Sequence, residues 1–309
     1  MSTVNWDLFK CRCSAISKIL ANGVDGRQIT EKQEEELKKL EDKETITPKQ
    51  KEEMERLRAL KAKKGMIVLG DTAITYLMEV FALETEGMIP VSKESMDILS
   101  MSKGKKQEAQ AGALLSFVDN VTYKVHKDRI SNEFLSGEID LYLGNDVYSA
   151  SCVPDIKNSW DYPGFLKKIN AGLEQGQKEQ EQGYGDITGA TDLFVANCLV
   201  DCTEQNIEEV KYRVSKKFGA VTIESPEFLE EWKKWERSMI FNHIDPYKRV
   251  HKIPVTPFTE FERQKVYDRV KFCREFLWKF DAEHENRNKY IPSSEISEVI
   301  ENTEGNSQH

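Results

Sequence analysis

No stretch of this sequence approaches the roughly 18–20 consecutive apolar residues needed to cross a bilayer. The opening segment, MSTVNWDLFKCRC, also lacks the continuous apolar stretch of a secretion signal. Both absences predict a cytoplasmic protein with no membrane partner. The six cysteines (Cys11, Cys13, Cys152, Cys198, Cys202, Cys273) contain no C-x-x-C pair, so neither a zinc ribbon nor a disulfide scaffold is expected. The five histidines are scattered as well. An excess of positive charge is missing too: the net charge is −9. That excludes a general nucleic-acid coat protein, which neutralises phosphates along its whole surface. It leaves room for an enzyme that confines positive charge to one groove.

What is present begins with a short repeat. Ile29-Thr30-Glu31-Lys32-Gln33 leads to Leu37 and Leu40, and Ile46-Thr47-Pro48-Lys49-Gln50 leads to Met54 and Leu57. Each copy has Thr followed three residues later by Gln, the spacing of a capping box. Pro48 falls at a first helical position, where its missing N–H costs nothing. Two charged helices joined by a turn are expected, either as a solvated arm or as a DNA clamp or subunit contact. Helical spacing also covers residues 71–86 and 104–118.

Strand-like alternation then takes over at residues 121–125, 134–143 and 147–157. Gly144-Asn145-Asp146 should turn the last two into a hairpin. A helix fits residues 162–183, a buried strand 193–200, a helix 206–218 and a short strand 220–224. The C-terminal third reads as helical over residues 226–241 and 258–280, and the tail from about 294 as disordered. The expected organisation is a helical region at 1–65, an α/β core at 66–225, a helical extension at 226–293 and a disordered tail at 294–309.

Four positions carry chemistry. Glu108 lies near the start of a helix, Asp140 within a strand, and Asp155 and Lys157 on the following strand. Residues two apart on a strand share a face, so Asp155 and Lys157 project together. Pairing about Gly144 would bring Asp140 close to Asp155. Clustered carboxylates repel unless a cation lies between them, and hard oxygen ligands suit Mg²⁺ or Mn²⁺. A neighbouring lysine can orient water and neutralise a phosphate. By itself, Asp-x-Lys at the end of a strand is common by chance and is ordinarily an exposed salt bridge. Its weight here comes from its position behind Glu108 and Asp140 and ahead of the glutamine-rich segment around Gln180. Glu79, Glu84 and Glu86 compete with Glu108 for the third carboxylate.

Taken in order, these segments resemble the PD-(D/E)xK nuclease superfamily, and most of all its phage lambda-exonuclease-type recombination nucleases. The resemblance rests on Lys103 to Glu108 with Ala113-Leu114-Leu115, on Asn132-Glu133-Phe134 through Asp140, and on Pro154-Asp155-Ile156-Lys157-Asn158-Ser159-Trp160. It continues through Gln180-Glu181-Gln182-Gly183-Tyr184 to Gly189-Ala190 and the apolar run from Phe194 to Val200. Gly185 and Asp186 depart from the pattern, standing where apolar residues are usual.

The resemblance implies a restriction-endonuclease-like α/β core, a mixed central sheet flanked by helices, with helical extensions at both ends. It implies that Glu108, Asp140 and Asp155, with the backbone carbonyl of Ile156, hold Mg²⁺, for which Mn²⁺ can substitute. Lys157 would position the attacking water, Gln180 would contact the site or the DNA backbone, and Tyr184 would either pack its helix or, less favoured, contact DNA. Lys103, Lys105 and Lys106 would either meet phosphates or form a solvated helix start. The implied function is a metal-dependent DNA exonuclease in recombination or DNA processing. The rivals are an endonuclease of the same superfamily and a non-catalytic DNA-binding or assembly protein with a nuclease-like fold. DNA, a single-strand annealing recombinase and a homo-oligomer are the implied partners, and the location would be the host cytoplasm for a phage-encoded chain. The cysteine spacing does not match the iron–sulfur members of the superfamily.

Overall fold

The computed structural model describes residues 4–22, 29–43, 45–64, 68–89, 98–219 and 222–289, without side chains at 98–106 and 285–289. The expected tail at 294–309 lies outside the described residues, as do the side chains of Lys103, Lys105 and Lys106. Among the described residues, no helix is long and apolar enough to cross a membrane.

The chain divides into two compact units. The described parts of Met1–Phe9, Lys18–Ile89 and Val266–His309 form one, and those of Lys10–Ser17 and Pro90–Lys265 form the other. In the first unit, α2 (Glu31–Glu41) and α3 (Pro48–Ala62) each begin with a complete capping box. Thr30 Oγ1 accepts from the Gln33 N–H at 3.3 Å, and Gln33 Oε1 accepts from the Thr30 N–H at 3.0 Å. Thr47 and Gln50 repeat the exchange. Leu37, Leu40, Met54 and Leu57 bury one another with Ile29, which gives the two charged helices a small core of their own. α4 (Asp71–Glu86) ends at Gly87, whose φ of 67° is the left-handed conformation glycine adopts most cheaply. Phe81 of α4 stacks on Trp6 at 5.5 Å and meets Phe280 edge-on at 5.0 Å.

The second unit is built on a mixed sheet. Its strand β4 (Cys152–Asn158) runs parallel to β5 (Asp192–Cys198), and β6 (Val250–Val255) pairs antiparallel on the far side of β5. Phe194 stands in register with Pro154 on one side and Pro254 on the other. Both prolines are on outer strands, where a missing N–H does least harm to the ladder. Helix α5 (Ile98–Asp119) packs Ala111 and Leu115 against Ile156, Phe194 and Ala196 of the sheet. A smaller sheet joins β1 (Cys11–Arg12) parallel to β3 (Leu135–Gly137) and β2 (Ile130–Ser131) antiparallel to β3.

The expected hairpin is much reduced. Residues 121–125 contribute one bridge, from Lys124 to Tyr142, and residues 134–143 form a strand only over Leu135–Gly137. The pairing about Gly144 shrinks to the single bridge from Leu143 to Cys152. The cause lies in the turn: Asp146 accepts the Tyr148 N–H at 2.8 Å and winds Val147–Ser149 into a 3₁₀ turn. Expected helix 162–183 is two helices, α6 (Tyr162–Ala171) and α7 (Gln175–Thr188), separated at Gly172, whose φ is 74°. Residues 222–224 form a turn before α9 (Pro226–Arg237) instead of a strand. The C-terminal third is not wholly helical, since β6 adds a strand to the central sheet before α10 (Glu260–Lys289) begins. His251, Lys252 and Pro254 hide that strand from an apolar-alternation reading.

Candidate active site

At Ile156, β4 has no neighbouring strand among the described residues on the side away from β5. The side chain of Asp140 fills the gap: its Oδ2 accepts the Ile156 N–H at 2.8 Å. Asp140 can do this because the chain leaves β3 after Gly137 and does not run on as a strand. The next residue on β4, Lys157, shares a face with Asp155 as expected. Its Nζ stands 3.0 Å from Asp155 Oδ1, in hydrogen-bond geometry, and 2.8 Å from Oδ2. Asp155 is almost fully buried.

Helix α7 closes the site from the other side. Gln180 Nε2 donates to Asp155 Oδ1 at 3.2 Å and to the Tyr184 hydroxyl at 2.8 Å. Tyr184 is buried against β3, where a Cβ on Gly137 would stand 2.5 Å from its Cε1. Only glycine lets the strand leading to Asp140 come so close to the helix carrying Gln180. Gly185, a departure from the resembled pattern, has a similar reason: a Cβ there would meet Leu193 Cδ1 of β5 at 2.5 Å. Asp186, the other departure, is a tie. Its buried carboxylate takes the Arg263 Nε at 2.6 Å and the Asn132 Nδ2 at 2.9 Å. Asn132 in turn accepts the N–H groups of Phe134 and Leu135 at 2.9 and 2.8 Å.

The electrostatics follow from burial. Asp140 is pushed up to about 7, first by burial and then by the charge of Asp155. Burial also raises Asp155, against the pull of Lys157. Burial works to lower Lys157, but the charge and hydrogen bond of Asp155, with Asp140 behind, carry it above the ordinary lysine value. A further acid, Glu181, was not singled out from the sequence. It is completely buried on α7, with the backbone of Phe194 as the hydrogen-bond donor that opposes its rise. Burial, then the charge of Asp155, drives its carboxyl well above the usual range. The signal available was an acid between Gln180 and Gln182 on a helix face that turns inward.

All the expected side chains border one hollow of about 760 Å³: Glu108, Asp140, Asp155, Lys157 and Gln180. Arg12, Lys127, Arg129 and Lys168 border it too, from segments far apart in the chain. Glu108 is the loosest member. Its residue is exposed on α5, and it is the weakest of the charges named above acting on Asp140. Glu79, Glu84 and Glu86 lie on α4 and do not line the hollow. Asp140, Asp155 and the Ile156 carbonyl form a hard-oxygen donor set of the kind Mg²⁺ takes. Among the described residues, no three His, Cys, Asp or Glu side chains stand close enough to share an ion. Lys157 balances the charge of Asp155.

No protein-family model and no curated protein matches the sequence. Solved structures do match. One is a phage-related exonuclease from Haemophilus somnus 129PT, with a TM-score of 0.55 and 18% identity, over 89% of this chain and 96% of that one. The chain shares that exonuclease's fold. An alkaline exonuclease from Laribacter hongkongensis matches with a TM-score of 0.47 and 10% identity, over 92% of this chain and 96% of that one. The same enzyme also matches in its complex with dAMP. The α/β core expected from the sequence, a mixed sheet flanked by helices, is therefore the fold observed.

Proposed function

We propose that the chain is a metal-dependent deoxyribonuclease that works from DNA ends, in the manner of the phage-related exonuclease whose fold it shares. One observation carries this reading. Asp140, half-buried, and Asp155, almost fully buried, are fifteen residues apart in the sequence yet meet at Ile156, with Lys157 on the face of Asp155. A protein gains no stability from crowding two carboxylates in this way, and the arrangement suits a cation-assisted reaction on a phosphodiester.

Asp140, Asp155 and the Ile156 carbonyl would hold Mg²⁺, or Mn²⁺ in its place, with Glu108 at the open edge. Bound there, the ion supplies Lewis acidity to a phosphoryl oxygen and acidifies a water. Lys157 holds its proton firmly, so its part is to orient the attacking water and offset phosphate charge, not to take up a proton. Gln180, anchored on Tyr184, holds Asp155 in place through Oδ1. Arg12, Lys127, Arg129 and Lys168 supply the positive lining that a DNA backbone needs, which reconciles the site with a net charge of −9.

The deciding assay compares linear duplex DNA with covalently closed circles in the presence of Mg²⁺. Degradation of the linear form alone, abolished in Asp155→Ala and Lys157→Ala, is expected. Cutting of closed circles would make the chain an endonuclease. DNA binding without cleavage of either form would make it a non-catalytic relative of the fold.

A further inference from the structure

A second hollow, of about 350 Å³, lies on the second unit and shares no residue with the first. Its walls are Leu114 and Phe117 of α5, Val200 and Asp201 beyond β5, and Pro246 and Arg249 ahead of β6. Two features set it apart from ordinary surface. Phe117 is 60% exposed and Tyr247 is 63% exposed, and their rings stand 6.1 Å apart. Arg249 is held at both ends of its backbone: its N–H donates to the Pro246 carbonyl at 3.0 Å, and its carbonyl accepts the Leu199 N–H at 2.9 Å. Yet its Nε is buried without a hydrogen-bond acceptor, and no carboxylate among the described residues pairs with its guanidinium.

The chemistry of the occupant follows from the walls. A nucleic-acid backbone needs a row of cations, because each phosphate brings its own charge. This hollow has one, and beside it a carboxylate, Asp201, whose Oδ1 already accepts the Phe241 N–H at 2.5 Å. One fixed arginine beside exposed aromatic rings is instead the composition of an anchor point between proteins. We propose that this hollow docks a segment of another protein that presents a carboxylate next to an aliphatic or aromatic side chain. The carboxylate pairs with Arg249. The apolar neighbour fills the space between Leu114, Val200 and Pro246 and is covered by Phe117 and Tyr247. The nuclease reading is not needed for this step, since no residue of the first hollow takes part.

The test uses the full chain and a displayed library of random peptides, counter-selected on Arg249→Gln. The expected clones carry Asp or Glu beside an apolar residue. A synthetic peptide of a recovered sequence should bind wild type about tenfold or more tightly than it binds Arg249→Gln or Phe117→Ser. Both variants should melt as wild type does, because one loses an unpaired cation and the other an exposed ring. A single-stranded oligothymidine, measured in EDTA to prevent cleavage, should bind both variants as it binds wild type. Failure to recover clones sensitive to Arg249, or recovery of clones without a carboxylate, overturns the proposal. Loss of oligothymidine binding in Arg249→Gln, with peptide binding unchanged, would assign the hollow to nucleic acid and overturn it equally.

Discussion

The carboxylate of Asp140 takes the place of a neighbouring strand for Ile156, accepting its N–H at 2.8 Å on the open edge of β4. One side chain thus completes the backbone hydrogen bonding of the strand that bears Asp155 and sets a second, half-buried carboxyl beside it. The two duties can be separated. Asp140→Asn keeps an oxygen that can accept from Ile156 but removes the charge. Nuclease activity should fall by at least about a hundredfold, while metal-free thermal stability holds or rises. Asp140→Ala should lose activity and stability together, because the Ile156 N–H is left unmet. A scanning-calorimetry comparison of the two variants checks the distinction, and equal stability loss in both would refute it.

Stability should depend on pH in a direction set by these acids. Asp140 is raised from 3.8 to about 7, and Asp155 is raised too. For a raised carboxyl, the folded state holds a proton that the unfolded chain has released. Stability is therefore fully present below the ordinary carboxylate value and declines as pH rises through about 7. Metal-free melting temperature should fall over that window. Mg²⁺, binding the ionised pair, should restore it by mass action, with the larger gain at the alkaline end. Melting curves across the window, with and without Mg²⁺, test this. An Asp140→Asn variant should show the shallower slope.

How much of this was legible in the sequence differs by kind of feature. Local signals read well. The Thr30/Gln33 and Thr47/Gln50 boxes are contained within a single turn of chain, and both are made as expected. Asp155 and Lys157 share a face because strand geometry alone requires it. Long-range pairing read poorly. Alternation and the turn residues Gly144-Asn145-Asp146 point to a full hairpin, but Asp146 captures its own backbone and shortens the pairing to one bridge. Asp140 reaches the site all the same, through its side chain and not through strand register. β6 was missed because an outer strand of the sheet tolerates His251, Lys252 and Pro254. Glu181 was missed because nothing local marks an acid as buried; only the packing of α7 on the sheet does.

The departure at Asp186 has a testable consequence. Its carboxylate joins Arg263, at the start of α10, to Asn132, which organises the turn into β3. Asp186→Ala removes the acceptor of the half-buried Asn132 amide and the counter-charge of Arg263. A loss of about 1–3 kcal/mol is expected, read by urea denaturation. Arg263→Ala should cost a similar amount, because it leaves the buried Asp186 carboxylate without its counter-charge. The double variant should cost less than the sum of the two. Additive losses would mean the pair is not coupled.

Glu181 gives the sharpest contrast between stability and role. Its carboxyl is completely buried, and burial, then the charge of Asp155, push it well above the usual range against the backbone hydrogen bond of Phe194. The same sign applies as for Asp140: whatever stability the proton gives is present at acid pH and drains away as pH rises. Glu181→Met, close in volume and apolar, should raise the melting temperature, with a gain on the order of 1–3 kcal/mol. That gain should be larger at alkaline than at acid pH. Glu181→Gln should remove the pH dependence yet keep a buried polar group, so its gain should be smaller. Nuclease assays on the same variants separate two explanations. Full activity in Glu181→Met would make the acid an accident of packing. Activity lost in Glu181→Met but kept in Glu181→Gln would show that a neutral hydrogen-bonding group beside Asp155 is what the site requires.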